Sequence, residues 1–333
     1  MKILITGVAG FIGFHVAKKF LEKKKYIIGI DNLNNYYDTK LKRKRIQLLK
    51  SFKNFKFNKL DICNYTKLNN FLKKNKVNYI IHLAAQAGVR YSIKNPRTYL
   101  NTNIDGFFNI LEVSKNYKIK HLIFASSSSV YGGIKKRTFS EKLLVDHPIS
   151  FYAATKKCNE ILAHSYSHIY KIPITGLRFF TAYGPYGRPD MALYLFTKNI
   201  LKNKKIKIFN KGNMYRDFTY IDDVVDAIVK LLKKIPKAKS INNPHTGESF
   251  SPFQIFNVGF GKKIKLLKFV SLIENNLKIK AKKILSSMQS GDIQSTLSDT
   301  SLLKEKILYQ PKTSIEVGIK KFIDWYKSYK RIS

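Results

Sequence analysis

The chain is expected to fold as an α/β protein, with a Rossmann-type doubly wound parallel sheet followed by a smaller, mixed α/β C-terminal lobe. Three observations predict this. Residues 1–31 read as a strand, a glycine-rich turn, a helix and a second strand; short β-branched runs then alternate with helical patterns; and that alternation fades after Gly184.

Lys2 to Thr6 is a short, nearly continuous apolar run, as a parallel strand covered on both faces requires. Gly7 ends it. From Phe11 to Glu22, apolar residues at Phe11, Ile12, Val16, Phe20 and Leu21 recur at helical spacing, and Ile27 to Ile30 returns to strand character. Further helices are predicted around Tyr65–Lys74, Thr98–Asn116 and Tyr152–Tyr170, separating strands at Tyr79–Leu83, His121–Ala125 and Ile174–Phe179. In such a sheet, right-handed crossovers place ligands beyond the carboxyl ends of the strands. Later, short strands at Ile206–Phe209 and Ile255–Val258 stand among helices, and Pro236–Pro252, rich in Lys, Ser, Asn, Pro and Gly, reads as a surface loop.

At 333 residues the chain exceeds one usual core and suggests about two lobes. Its 62 basic and 21 acidic residues give a formal charge of +41, which attracts polyanions at low salt. The lysines, however, are scattered along the whole chain beside abundant Asn and Ile, as AT-rich coding produces. The densest runs, Lys40–Arg45 and Lys202–Lys207, lack the interleaved aromatics of a single-strand platform, so no specific nucleic-acid partner is expected. Cys63 and Cys158 form neither a disulfide framework nor a metal-ligand spacing, which fits a reducing cytoplasm and no metal. Glycines interrupt the N-terminal apolar run, arguing against a secretory leader, and no stretch approaches the roughly 18 apolar residues of a membrane span.

Gly7, Gly10 and Gly13 form a G-x-x-G-x-x-G turn between strand and helix, where backbone approaches a pyrophosphate and helix N-terminal amides face the anion. Asp31 closes the next strand about 20 residues onward, where a carboxylate accepts from a ribose diol and repels a 2′-phosphate, favouring NAD. Asp61, after another strand-like run, is either an adenine contact or a turn residue. Residues 1–183 are therefore read as the dinucleotide-binding domain, and 184–333 as mainly a substrate-binding lobe with some segments returning to the main sheet.

After the strand ending at Ala125 comes a run of four serines, Ser126–Ser129, then Val130-Tyr131-Gly132, and later Tyr152-x-x-x-Lys156. Tyr152 and Lys156 share one helix face. A lysine ammonium near a phenol stabilises phenolate and lowers the tyrosine pKa from about 10, giving a base usable near neutral pH. A serine hydroxyl at the strand end hydrogen-bonds the reacting oxygen. Each motif alone is common on surface helices or loops; their order after a dinucleotide turn is not.

The combination resembles the extended short-chain dehydrogenase/reductase family, within its NAD-dependent epimerase/dehydratase branch, over nearly the whole chain. Asp31–Asp38, His82–Arg90, Arg178–Pro185, Gly187–Met191 and Arg216–Tyr220 make it most similar to enzymes acting on UDP-glucuronate. The resemblance implies catalysis by Tyr152, Lys156 and Ser127. It implies NAD held by Gly7, Gly10, Phe11, Ile12, Gly13, Asp31, Asn32, Asp61, Ile62, Leu83, Ala84, Ala85, Tyr152 and Lys156. It implies a UDP-sugar held by Ser127, Ser128, Ser129, Thr181, Arg188, Arg216 and Asp292, with Thr181 and Arg188 on the sugar carboxylate and Arg216 on the diphosphate or uridine. A homodimer through the helices near Thr98–Asn116 and Tyr152–Tyr170 is also implied.

The implied reaction interconverts UDP-glucuronate and UDP-galacturonate through a 4-keto sugar, with NAD retained. UDP-glucose or UDP-N-acetylglucosamine 4-epimerisation is the alternative within the class, and a redox-silent NAD-binding scaffold contacting RNA the alternative outside it. Dehydratases and decarboxylating relatives carry acidic residues just before the Val-Tyr-Gly segment. Here Ser128 and Ser129 stand there, leaving no evident base for the C5 proton. A phosphate-binding Arg of neutral-sugar epimerases is replaced by Gln289, so diphosphate binding leans on Arg216 or another cation.

Overall fold

A computed structural model describes residues 1–134, 136, 138–241, 244–289 and 291–332. In chain order the strands are β1 (Lys2–Thr6), β2 (Tyr26–Asp31), β3 (Phe55–Lys59), β4 (Tyr79–His82), β5 (His121–Ser127), β6 (Ile174–Phe179), β7 (Thr181–Tyr183), β8 (Ile206–Ile208), β9 (Tyr215–Tyr220), β10 (Phe253–Val258), β11 (Lys263–Lys265) and β12 (Lys283–Leu285). The helices are α1 (Phe11–Glu22), α2 (Thr39–Lys50), α3 (Tyr65–Asn75), α4 (Val89–Lys94), α5 (Pro96–Tyr99), α6 (Gly106–Asn116), α7 (Phe151–Tyr170), α8 (Ala192–Leu201), α9 (Ile221–Leu231), α10 (Leu266–Leu277), α11 (Ser301–Ile307) and α12 (Ile315–Lys330).

Seven parallel strands lie in the order β10-β6-β5-β4-β1-β2-β3. Their period-two side chains feed two apolar layers. Ile3, Ile5, Ile27, Ile81, Ile123 and Leu177 meet α1, α2 and α9 through Val16, Phe20, Ile46 and Ile228. Leu4, Ile28, Ile80, Leu122, Phe124 and Ile174 meet α3, α6 and α7 through Leu68, Leu72, Ile110 and Ala163. Each fully buried Ile or Leu contributes roughly 1.5–3 kcal/mol of transfer free energy, which is why both faces must be covered. The doubly wound expectation is met, and the first layer runs on without a break into residues after Gly184 through Phe196, Phe269, Ile273 and Phe322.

Strand order reverses beside β1, between β2 on one side and β4 on the other, so the crevice for a ligand opens at the carboxyl ends of β1 and β4. Two smaller sheets complete the fold, a three-stranded β11-β9-β7, whose first strand in the chain lies before the expected boundary at 183, and a β12-β8 pair. In the first of these, Thr181 opposes Phe218.

Several expectations need correction. The helix expected over Thr98–Asn116 starts earlier, as α5, and passes through a π-helical segment, Leu100–Asp105, before α6. The strand at Ile206 stops at Ile208, and Phe209 opens a 3₁₀ turn. Within Pro236–Pro252 the described residues form no helix or named strand. Ser249 and Ser251 are nevertheless buried, their hydroxyls within hydrogen-bond distance of His164 and His168 of α7. Short polar side chains can go inside when each finds a partner. Asn242 and Asn243 of that loop, and Ser290 of the Met288–Asp292 segment, lie outside the described residues. The Lys40–Arg45 run belongs to α2, where Lys42 and Arg45 are buried and bonded rather than scattered surface charge. Among the described residues no helix is long and apolar enough to cross a membrane.

Candidate active site

The glycine turn stands at the carboxyl end of β1. Gly7 has φ +68°, and a Cβ there would lie 2.7 Å from the Ala84 amide nitrogen. At Gly13 a Cβ would meet the Gly7 carbonyl, so close packing of α1 on its own turn excludes any side chain. Helix α1 begins with no side-chain cap and no acidic residue in its first turn, leaving the Phe11 and Ile12 end positive. That end suits an anionic pyrophosphate.

Asp31 ends β2. Its Oδ2 accepts from the Ala9 amide (3.0 Å) and its Oδ1 from the Leu33 amide (2.8 Å). Burial raises its pKa, against these two bonds and the charges of Lys42 and Arg45. Each carboxylate oxygen keeps a second lone pair for a ribose hydroxyl. Asn32 donates to Asp61 Oδ2 (2.9 Å), and Asp61 Oδ1 accepts from Cys63 N (2.9 Å), so Asp61 shapes the turn after β3 and ties it to the chain following β2. Ile62 is buried beside it. Leu83, Ala84 and Ala85 follow β4, and the Leu83 and Ala84 amides donate to Thr6 Oγ1 (3.2 and 3.1 Å), which ties β4 to β1 where the crevice opens.

The serine run continues β5 to Ser127; Ser128 and Ser129 form a 3₁₀ turn whose Ser129 amide donates to Ser127 Oγ (3.1 Å). Helix α7 is capped by Ser150, which accepts from the Ala153 amide, and the Tyr152 amide donates to Ser92 Oγ. This anchoring sets Tyr152 over the end of β5, against Ser127. Lys156 Nζ donates to the Ala125 carbonyl (2.8 Å). Burial draws its pKa down to about 8, opposed by Glu160. The lowering of the Tyr152 pKa expected from Lys156 is not found. Burial raises it, and the groups that pull it down are the Ser127 hydrogen bond and Arg188. The physical reason is that burial of the phenol outweighs the groups that favour its charged form; Lys156 gives one of its three N–H donors to Ala125 and keeps the others for a phenolate or a ribose.

Arg188 reaches this place from the chain after β7. Thr181, at the start of β7 just past β6, lines one depression with Phe11, Gly187, Arg188 and Met191. The Arg188 fork is already held by Asp190, and Tyr36 donates to the same carboxylate. Tyr36, Tyr99 and Arg188 meet over Gly88: a Cβ there would lie 2.7 Å from Tyr36 Oη, 3.7 Å from Tyr99 Oη and 3.9 Å from Arg188 Nη2. From this point Tyr91, Tyr99 and Tyr152 follow ring against ring.

Arg216, on β9, pairs with Asp292 (2.7 Å) at a separate position. Burial lowers its pKa, against Asp292, and nearby Arg90 lowers it further. Arg90 stacks on Phe209, 4.7 Å from the ring centre. Gly291, next to Asp292, packs on Val89 and Ser150, so this pair flanks the start of α7 rather than joining Arg188. Among the described residues no cluster suits a metal ion.

Sequence reasoning missed several residues that build the site. Asn103, placed inward by the π-helical segment, donates to the Gln86 carbonyl and Thr155 Oγ1 and accepts from the Gln86 amide. No local pattern announces a π-helical turn. Arg45 donates to the Ala9 and Tyr186 carbonyls, joining the glycine turn to the segment that carries Arg188. No sequence signal marked it, because its partners become neighbours only in the folded chain.

Comparison with known proteins bears on this site. A family model described as NAD dependent epimerase/dehydratase family matches residues 3–246. Protein CapI of Staphylococcus aureus is 49% identical over 99% of both chains. UDP-glucuronate 4-epimerase 4 of Arabidopsis thaliana is 44% identical over 98% of this chain and 75% of its own. A crystal structure of UDP-glucuronic acid 4-epimerase from Bacillus cereus, in complex with UDP-glucuronic acid and NAD, superposes with a TM-score of 0.89 at 34% identity, covering 99% of this chain and 100% of that one.

Proposed function

The chain belongs to the NAD dependent epimerase/dehydratase family, as a nucleotide-sugar epimerase that uses NAD, and on that premise we propose that it inverts C4 of a UDP-uronic acid, interconverting UDP-glucuronate and UDP-galacturonate. The observation that carries the reading is the guanidinium of Arg188, which lies with Tyr99 around Gly88, Tyr99 in turn packing its ring on Tyr152, a cation of the kind that a sugar carboxylate would pair with.

NAD would be held at Gly7, Gly10, Phe11, Ile12 and Gly13 by its pyrophosphate, at Asp31 and Asn32 by a ribose, at Asp61 and Ile62 by the adenine, and against Leu83–Ala85, Tyr152 and Lys156 by its nicotinamide half. When bound it supplies a hydride acceptor and donor at C4. Tyr152 Oη takes and returns the C4 hydroxyl proton, and Ser127 hydrogen-bonds the same oxygen. Lys156 offers its ammonium to the phenolate and to a ribose. Ser128, Ser129 and Thr181 line the sugar with hydroxyls, none able to act as a carboxylate base at C5. Arg216, positioned by Asp292, neutralises the diphosphate, with Arg90 as the further cation that Gln289 leaves necessary.

Apolar residues left exposed along the α5–α6 rod (Leu100, Phe108) and along α7 (Ile161, Ile169) recur eight residues apart and support a homodimer through these helices. Incubating the purified protein with UDP-glucuronate and no added reductant tests the reaction: UDP-galacturonate is expected. Production of only a UDP-pentose and carbon dioxide, or turnover of UDP-glucose alone, overturns it.

A further inference from the structure

Tyr152, Lys156 and Glu160 follow one another at intervals of four on α7 and so share a face. Spacing alone would pair Lys156 with Glu160. Instead Lys156 donates to Ala125 O, and Glu160 is taken up elsewhere. Its Oε1 accepts from Ser126 Oγ (2.6 Å) and Arg178 Nε (2.8 Å), and its Oε2 from Arg178 Nη2 (2.7 Å). Arg178 comes from β6, directly opposite Ser126 in the register with β5. It is fully buried, lies over the Tyr131 ring (4.9 Å), and Tyr131 in turn donates to Asn257 Oδ1 (2.7 Å) on β10.

A buried carboxylate one turn from a buried lysine would normally close on it. Here both of its oxygens are engaged by the Arg178 guanidinium fork. We propose that Arg178 is a positioning residue that occupies Glu160 and thereby keeps the charge of the Lys156 ammonium from being compensated by that carboxylate, leaving it available to a Tyr152 phenolate. Lysine, glutamate and arginine together carry one net positive charge, which a Tyr152 phenolate balances. Other groups face this set: His82 from β4 toward Lys156, Arg188 and Tyr99 toward Tyr152, and Tyr131 and Glu141 toward Arg178. The proposal rests on the assignment of proton transfer to Tyr152.

Arg178→Gln releases Glu160 to pair with Lys156; kcat is expected to fall about tenfold or more, with the acid limb of its pH profile displaced upward by about one unit. Glu160→Gln/Arg178→Gln removes the released carboxylate as well, and should recover to within about threefold of the parent with a parent-like acid limb. Melting temperatures show that each variant is folded. Parent-like activity in Arg178→Gln, or a folded double variant no faster than Arg178→Gln, overturns the proposal. Should Arg178→Gln not fold, Arg178→Lys keeps the charge on Glu160 and is expected to keep the parent's pH profile; a folded Arg178→Lys with the displaced limb also overturns it. If Tyr152→Phe turns over normally, the assignment of Tyr152 fails instead.

Discussion

Asp190 accepts from both Nε (3.0 Å) and Nη2 (2.5 Å) of Arg188, so the cation beside Tyr152 meets any substrate with its fork already half committed. Burial works against the Arg188 charge, but Asp190 outweighs it and holds the guanidinium firmly protonated. Tyr36 adds a third bond to the same carboxylate (3.1 Å), linking the loop after β2 to the segment after β7. Asp190→Asn is expected to slow epimerisation about tenfold, since a charge-assisted pair is worth about 1.5–3 kcal/mol. The fraction of turnovers releasing carbon dioxide should rise as Arg188 loosens. Nuclear magnetic resonance of the products together with captured carbon dioxide measures both.

Tyr152→Phe removes the phenol that lies against Ser127. Loss of turnover by about 10²–10⁴-fold is expected, the usual range for a general acid–base group. Affinity for the UDP-sugar, measured by calorimetry, should change little, because the ring that packs on Tyr99 remains.

Asp31→Ala leaves the Ala9 and Leu33 amides without their shared acceptor. The turn should loosen and NAD should be lost. Chromatography of nucleotide released from denatured protein is expected to show at least about tenfold less NAD per chain than the parent, from one or two lost hydrogen bonds to a charged group.

His82 and His121 are held near pKa 3 and 4 by burial, below the ordinary 6.5. The unfolded chain therefore binds more protons than the folded one below about pH 6.5, and stability is present above that pH and lost as pH falls. Each histidine should withdraw about 1.4 kcal/mol per pH unit between about 6 and 4, seen as a falling melting temperature. Replacing His121 by Gln should remove the share of that slope that His121 contributes and leave the rest.

Phe108→Glu with Ile161→Glu puts charge on the two exposed helix faces without touching either apolar layer. Light scattering is expected to report a monomer for this variant and a dimer for the parent.

Much of the fold was legible because its signals are local. The run Lys2–Thr6 and the helix Phe11–Glu22 coincide with β1 and α1, since buried parallel strands must be apolar on both faces and the glycine turn marks their junction. Helix α2 was not legible. Its inward residues include Lys42 and Arg45, whose partners, Asn34, Ala9 and Tyr186, become neighbours only after folding.

Sequence by itself determined the βαβ unit, the spacing of Tyr152 and Lys156 on one helix face, and the absence of a carboxylate at Ser128 and Ser129, because each depends on residue type and short-range periodicity. Tertiary structure alone decided where the charges point. Lys156 turns to Ala125 rather than Glu160, Glu160 turns to Arg178, and Asp190 is shared by Arg188 and Tyr36. Those choices follow from desolvation: in a buried site each charge settles on whichever opposite charge or dipole the packed strands bring nearest, and chain spacing does not say which that is.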